Sequence, residues 1–195
     1  MSGEVQAQRL FVAIAVPEEV KARIIEARDE LCAKLPPAVA SWTRPENMHL
    51  TLRFLGNVEE SRIESLKTSL VETLSAFGPI QLISERLGCF PDLRYPRVVW
   101  AWVYDEAERL GQLQRRVAQA TNAFTREPAE SRFVGHITLA RLRQIKRPQA
   151  EIIAAFVNGA VGRKFGEWIA DRVELIRSEL SPGGSRYTTL AVAPL

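Results

Sequence analysis

The chain has 195 residues, 46% hydrophobic and 25% charged, enough for one domain or two small lobes around a buried core. Its longest apolar run, Leu10 to Val16, is far too short to span a bilayer, and MSGEVQAQ has neither a basic start nor an apolar signal core, so a cytoplasmic protein with no membrane association is expected. The net charge of +3 is mildly basic, and Cys32 and Cys89 lack both metal-ligand spacing and the density of a disulfide framework, which leaves packed, reduced thiols.

Along the chain, the first predicted element is a strand at Leu10 to Val16, followed by a helix opened by Pro17 with Val20, Ile24, Ala27 and Leu31 on one stripe. RPENMHLTLRFLG then reads as a strand of period two. Met48, Leu50 and Leu52 face the core, and His49, Thr51 and Arg53 form a polar face. A helix over residues 59–76 carries Ile63, Leu66, Leu70 and Leu74, and the Gly78-Pro79 break leads to a strand at Ile80 to Arg86. The second half repeats this order. It has a strand at Val98 to Tyr104, a helix with Leu110, Leu113, Val117 and Phe124, a strand at Phe133 to Leu142 and a shorter helix at Gln149 to Val157. Strands at Ile169 to Leu180 and Tyr187 to Val192 close the chain, with SPGGS between them as a hairpin signal.

The repetition extends to chemistry. The chain has two histidines, and both stand in H-x-T-L: His49 with Thr51 and Leu52, His136 with Thr138 and Leu139, 87 positions apart. RLFVAIAVPEE from Arg9 and RVVWAWVYDEA from Arg97 form a second match, at an offset of 88. A duplicated chain whose connections are too short for parallel crossovers predicts an α+β fold. Residues 1–195 then form one bilobal unit of two pseudo-symmetric halves, with mainly antiparallel sheets facing a central cleft and helices outside. An approximate two-fold axis would bring the two polar strand faces together in that cleft.

Two imidazoles on opposite sides of a cleft suit in-line displacement at phosphorus. One can take a proton from the attacking hydroxyl while the other protonates the departing alkoxide, and an ordinary pKa near 6.5 permits both roles. Thr51 and Thr138 would direct hydroxyls at the nonbridging phosphate oxygens, and Arg141 would add a full positive charge. A nucleophilic histidine stays open. Two histidines without clustered carboxylates or thiolates make a poor metal site, and neither a P-loop nor a G-x-S-x-G motif is present. The cluster Arg141, Arg143, Lys146 and Arg147 and the 21 arginines among 26 basic residues suit an anionic substrate, although plain surface charge explains them as well.

RLFVAIAVPEEV, WTRPENMHLTLRFLG, FVGHITLAR and LIRSELSPGGSRYTTL resemble the RNA 2′,3′-cyclic phosphodiesterases, also called 2′-5′ RNA ligases, of the two-histidine phosphoesterase superfamily. The resemblance implies both H-x-T motifs in a central cleft, no metal and no cofactor. It further implies hydrolysis of a terminal RNA 2′,3′-cyclic phosphate to a 2′-phosphate, with His49 as general acid and His136 as general base. A monomer is expected, and a small cyclic nucleotide is an alternative substrate. The resemblance also nominates Phe54 and Arg141, each five residues beyond its histidine, for contact with base or phosphate. An odd offset puts them on the face opposite the histidines unless each strand twists, ends or bulges there. Trp42, Trp100, Trp102, Trp168 and Tyr187 offer stacking surfaces but read first as packing. The rival activities are joining RNA ends through a 2′-5′ bond and binding RNA ends without turnover. Two groups able to exchange protons weigh against the latter.

Overall fold

The computed structural model of the chain describes residues 6–128, 132–181 and 184–195. Residues 1–5, expected as a frayed start, and residues 182–183 of the expected SPGGS turn lie outside the described residues. The elements are β1 (Ala7–Ala15), α1 (Glu18–Cys32), β2 (Ala40–Trp42), β3 (His49–Glu59), α2 (Ile63–Leu74), β4 (Ile80–Phe90) and β5 (Val98–Tyr104). They continue with α3 (Arg109–Thr121), β6 (His136–Leu142), α4 (Arg147–Gly159), β7 (Lys164–Ala170), β8 (Arg172–Ser181) and β9 (Gly184–Pro194). No described helix is long and apolar enough to cross a membrane.

The helices form where their stripes predict. Val20, Ile24, Ala27 and Leu31 are the buried residues of α1, and Ile63, Leu66, Leu70 and Leu74 those of α2. Glu18 and Glu19 in the first turn of α1 complement its dipole. The first turn of α3 is tied down from outside: the Asp105 carboxylate accepts hydrogen bonds from the backbone N–H groups of Arg109 at 2.7 Å and Leu110 at 2.8 Å. Phe124, expected on that helix, lies just past it in a half-buried 3₁₀ turn.

The strands form an α+β sheet in the order β7-β4-β5-β6-β3-β1-β8-β9, with β2 added on β6 and each pairing antiparallel. It divides into two four-stranded halves, β3-β1-β8-β9 and β6-β5-β4-β7, which meet at one residue pair, Leu50 with Ile137, between the histidine strands. The two halves of the chain are interleaved rather than side by side. From the first half, α1 packs on β6 and β7 and β4 pairs with β5; from the second, α3 packs on β3 and α2 and β8 pairs with β1. A single buried cluster, containing Leu10, Ile24, Leu50, Leu82, Leu139 and Leu175, accordingly runs through both halves.

Several boundaries differ from expectation, and β2 was not expected. The strand expected to end at Arg86 runs on to Phe90, because a bulge at Arg86 resets the alternation: Glu85 pairs with Trp102 and Leu87 with Ala101. The strand expected over Ile169 to Leu180 is two. β7 pairs with β4 and β8 with β1, so the chain changes half-sheet at Asp171. The apolar alternation continues across that point, and periodicity has no means of marking a change of partner. The second histidine strand starts at His136 rather than Phe133. Gly135, just before it, lies so close to β5 that an added Cβ would collide with the Val103 carbonyl oxygen.

Candidate active site

β3 and β6 bury their residues in the same order. His49 and His136 are half-buried, Leu50 and Ile137 buried, Thr51 and Thr138 half-buried. Two buried residues then follow in succession, Leu52-Arg53 and Leu139-Ala140, before the exposed Phe54 and Arg141. Strict alternation forbids two successive buried positions, and a bulge in each strand is the cause. In the β1–β3 ladder the register passes from Val12–Arg53 to Ala13–Thr51 and skips Leu52; in the β5–β6 ladder it passes from Val99–Ala140 to Trp100–Thr138 and skips Leu139. Each bulge returns the residue five beyond the histidine to the histidine's face. Phe54 and Arg141 therefore join the polar side of the strands, which resolves the odd offset.

The same bulge overturns the expectation that Arg53 shares a face with His49 and Thr51. Arg53 is 5% exposed, and its guanidinium donates to the carbonyls of Ala118 at 3.2 Å and Glu127 at 3.4 Å. The ladders also correct the second repeat match. Ala13 and Trp100 oppose the two motif threonines, and Phe11 and Val98 oppose Phe54 and Arg141, so β1 and β5 correspond at 87 like the histidines, not at 88.

At the junction of the half-sheets, Leu50 and Ile137 are fully buried and paired. Their neighbours on the other face meet above them: running antiparallel from that pair, His49 lies toward Thr138 and Thr51 toward His136. Both rings are held by the carbonyl two residues upstream. Nδ1 of His136 is 2.8 Å from the Val134 oxygen, and His49 hydrogen-bonds the Asn47 carbonyl. The Asn47 side chain in turn donates to the Ser185 carbonyl of β9 at 2.9 Å. A carbonyl can only accept, so Nδ1 of His136 carries a proton and Nε2 of the neutral ring is left as a base.

Burial, opposed by the Asn47 carbonyl but reinforced by the charges of His136, Arg141 and Lys21, pushes the His49 pKa down to about 4. His136 is lowered as well, first by burial and then by Arg141, against the Val134 hydrogen bond. In the free protein both imidazoles are therefore neutral at pH 7, and His49 is the harder of the two to protonate.

Aromatic side chains wall both histidines. The Phe11 ring lies 4.8 Å and the Tyr187 ring 5.3 Å from His49, and Phe54 stands 5.9 Å beyond Phe11. Beside His136 are Phe90 at 5.0 Å and Trp100 at 6.0 Å. Trp100 lies flat across β4 because Gly88 leaves it room: an added Cβ there would fall within the indole. Phe11 and Phe90 escaped the sequence reading since an aromatic residue within an apolar run looks like core. Trp100 and Tyr187, read first as packing, stand at the site; Trp42 packs against the core and also lines the cavity beside Arg141 and Tyr187, while Trp168 packs against the core.

Two cavities open on this region. One of 520 Å³ is lined by Arg141, Arg143, Arg44 and Tyr187, and one of 1020 Å³ by His136, Phe90 and Trp100. Lys146 and Arg147 line a separate groove with Arg94 and Arg97, so the basic cluster seen in sequence is divided in space. Among the described residues no three of His, Cys, Asp and Glu come together as they would to hold a metal ion. Cys32 and Cys89 are free, and burial pushes the Cys89 thiol up to about 12. Two imidazoles facing each other beside two hydroxyls and an arginine could, once one of them is protonated, serve as acid and base for transfer between two oxygens on phosphorus.

A family model for LigT-like phosphoesterases matches the chain twice, at residues 14–100 and 103–187, one match per histidine motif. An RNA 2′,3′-cyclic phosphodiesterase of Archaeoglobus fulgidus is 32% identical over 94% of this chain and 98% of its own length. One of Methanothermobacter thermautotrophicus is 31% identical over 94% and 97%. Among solved structures, a Thermus thermophilus protein superposes with a TM-score of 0.75 at 29% identity, covering 96% of this chain and 97% of that one. Escherichia coli LigT in complex with 3′-AMP superposes at 0.74 and 26% identity, covering 97% and 99%.

Proposed function

Because the chain belongs to the LigT-like phosphoesterase family, we propose that it hydrolyses the 2′,3′-cyclic phosphate at an RNA end and leaves a 2′-phosphate. The carrying observation is the meeting of two H-x-T-L motifs at the Leu50–Ile137 pair, each histidine held by the carbonyl two residues before it. The RNA substrate follows from the relatives named RNA 2′,3′-cyclic phosphodiesterase, which align over nearly the whole chain.

Nε2 of His136 takes a proton from water as the water oxygen attacks phosphorus. The bond from phosphorus to the 3′ oxygen breaks opposite it, and His49 gives its proton to that oxygen. Thr51, Thr138 and Arg141 meet the charge on the nonbridging oxygens, and Phe54 stacks near the base. The depressed pKa of His49 adds a condition: an acid with a pKa of about 4 is protonated near neutrality only when the substrate's own negative charge sits beside it. Substrate binding thus arms the acid. The chain works as one bilobal monomer, in a reducing cytoplasm that suits its free thiols, and without a metal ion.

The test is an RNA ending in 2′,3′-cyclic phosphate, incubated with the protein in chelator, its product identified by phosphorus NMR against both ester standards. A 2′-phosphate at an undiminished rate is expected. A 3′-phosphate would reverse the roles of His49 and His136. A chelator-abolished rate restored by a divalent ion would refute the metal-free mechanism, and a joined RNA would make the protein a ligase.

A further inference from the structure

The 1020 Å³ cavity that His136 lines extends across β5 to β4, where it also meets Arg86 and Arg132 and, among the described residues, no carboxylate. Trp102 of β5 pairs with His136 on one side and with Glu85 on the other. At that point β4 bulges, and the extra residue, Arg86, is held at φ +41°. A side-chain-bearing residue resists left-handed backbone, so an arginine kept there by a bulge beside a reaction site indicates a side chain deliberately aimed. Its backbone N–H is anchored on the Arg163 carbonyl at 2.7 Å.

The aim is visible. The Arg86 guanidinium lies over the Trp102 indole at 3.7 Å, and Trp102 is itself stacked on Tyr104, with centroids 4.3 Å apart and planes at 18°. The adjacent carboxylate, Glu85, acts with Arg86 on the Tyr104 hydroxyl but forms no ion pair with the guanidinium. Among the described residues the Arg86 guanidinium has no ion pair or hydrogen bond of its own. Stacking on an aromatic face fixes a guanidinium while leaving its edge N–H donors free, and those donors match two oxygens of a phosphate. Two strand spacings, about 10 Å, separate β6 from β4, and the arginine side chain shortens that gap to a span one nucleotide covers.

We propose that Arg86 binds the phosphodiester joining the terminal nucleotide of the RNA to the one before it, so that a polynucleotide end is preferred to a mononucleoside cyclic phosphate. The proposal rests on the cyclic phosphodiesterase reading and adds the residue that meets the first internucleotide phosphate. Arg86 is a binding residue, with Trp102 and Tyr104 positioning it.

Three substrates test it: a nucleoside 2′,3′-cyclic phosphate, and a dinucleotide bearing the same end with either a natural or an uncharged methylphosphonate linkage. The wild type should favour the natural over the methylphosphonate dinucleotide by roughly tenfold or more in kcat/KM, the effect of one charge-assisted hydrogen-bonded contact. In Arg86→Gln that ratio should fall to near one. Arg86→Gly, which suits the left-handed backbone, should behave alike and guards against misfolding. A wild type indifferent to the linkage, or an Arg86 variant that keeps the preference, overturns the assignment while leaving cyclic phosphate opening intact. Failure of the wild type to open any of the three overturns the functional reading, and this proposal with it.

Discussion

At the scale of the residue, the proposed mechanism makes the two imidazoles the controlling groups for both activity and pH response. His49→Ala and His136→Ala should each lower turnover by roughly a hundredfold to ten-thousandfold, with the double variant far better than the product of the two, because an acid and a base acting in one step fail together. The pH profiles should separate free enzyme from complex. The proposed reaction requires one proton on the pair, so kcat/KM should peak between about 4 and the His136 value, itself below 6.5. The optimum in kcat should lie at higher pH, since bound phosphate raises both. Stability follows the same linkage. His49 has a folded pKa below its unfolded value of 6.5, so the unfolded chain takes the proton first as pH falls. Its contribution is fully present above about 6.5 and is lost toward 4, up to about 3 kcal/mol in all. Denaturant titrations of wild type and His49→Gln should show a stability difference that shrinks over that interval; a constant difference would mean that the imidazole is not buried neutral.

At the scale of the element, the paired bulges at Leu52 and Leu139 decide which side chains share a face, and Gly88 decides where an indole can lie. Gly88→Ala would place a methyl group inside the Trp100 ring, so either the ring or β4 must shift. The expected cost is about 1–3 kcal/mol of stability, with altered tryptophan fluorescence and reduced turnover as Trp100 leaves His136. Unchanged emission and activity would show that β4 absorbs the methyl by itself.

At the scale of the whole molecule, interleaving sets how the chain folds. Residues 1–95 hold β1, β3 and β4, yet β4 belongs to the half-sheet built on β5 and β6, and β1 needs β8. Each half alone would leave an unpaired strand edge and a helix without its sheet, so neither 1–95 nor 96–195 should fold by itself. Circular dichroism and proteolysis of the separate halves should show little structure, and mixing them should restore both protection and turnover. A half that folds cooperatively alone would mean that the exchanged helix and strand are dispensable.

Much was legible in the sequence because the signals are local. The stripes of α1 and α2 appear as buried sets residue for residue, since helical period and apolar spacing coincide there. The duplicated H-x-T-L motif announced two equivalent strands, and equivalence alone predicted the shared cleft. What escaped depends on partners distant in sequence. A bulge exists only relative to the neighbouring strand, so neither the return of Phe54 and Arg141 to the histidine face nor the burial of Arg53 is written in the alternation of β3 and β6. Phe11 against His49, Trp100 across Gly88 and Arg86 over Trp102 are likewise contacts between strands. By itself the sequence determined the helices and most of the strands, the α+β class, the duplication and the pair of imidazoles, because each is a matter of period or repetition along one chain. Only the tertiary structure decided the register, the exchange of strands between half-sheets and the desolvation that lowers His49 to about 4, because pairing and burial are properties of surfaces brought together.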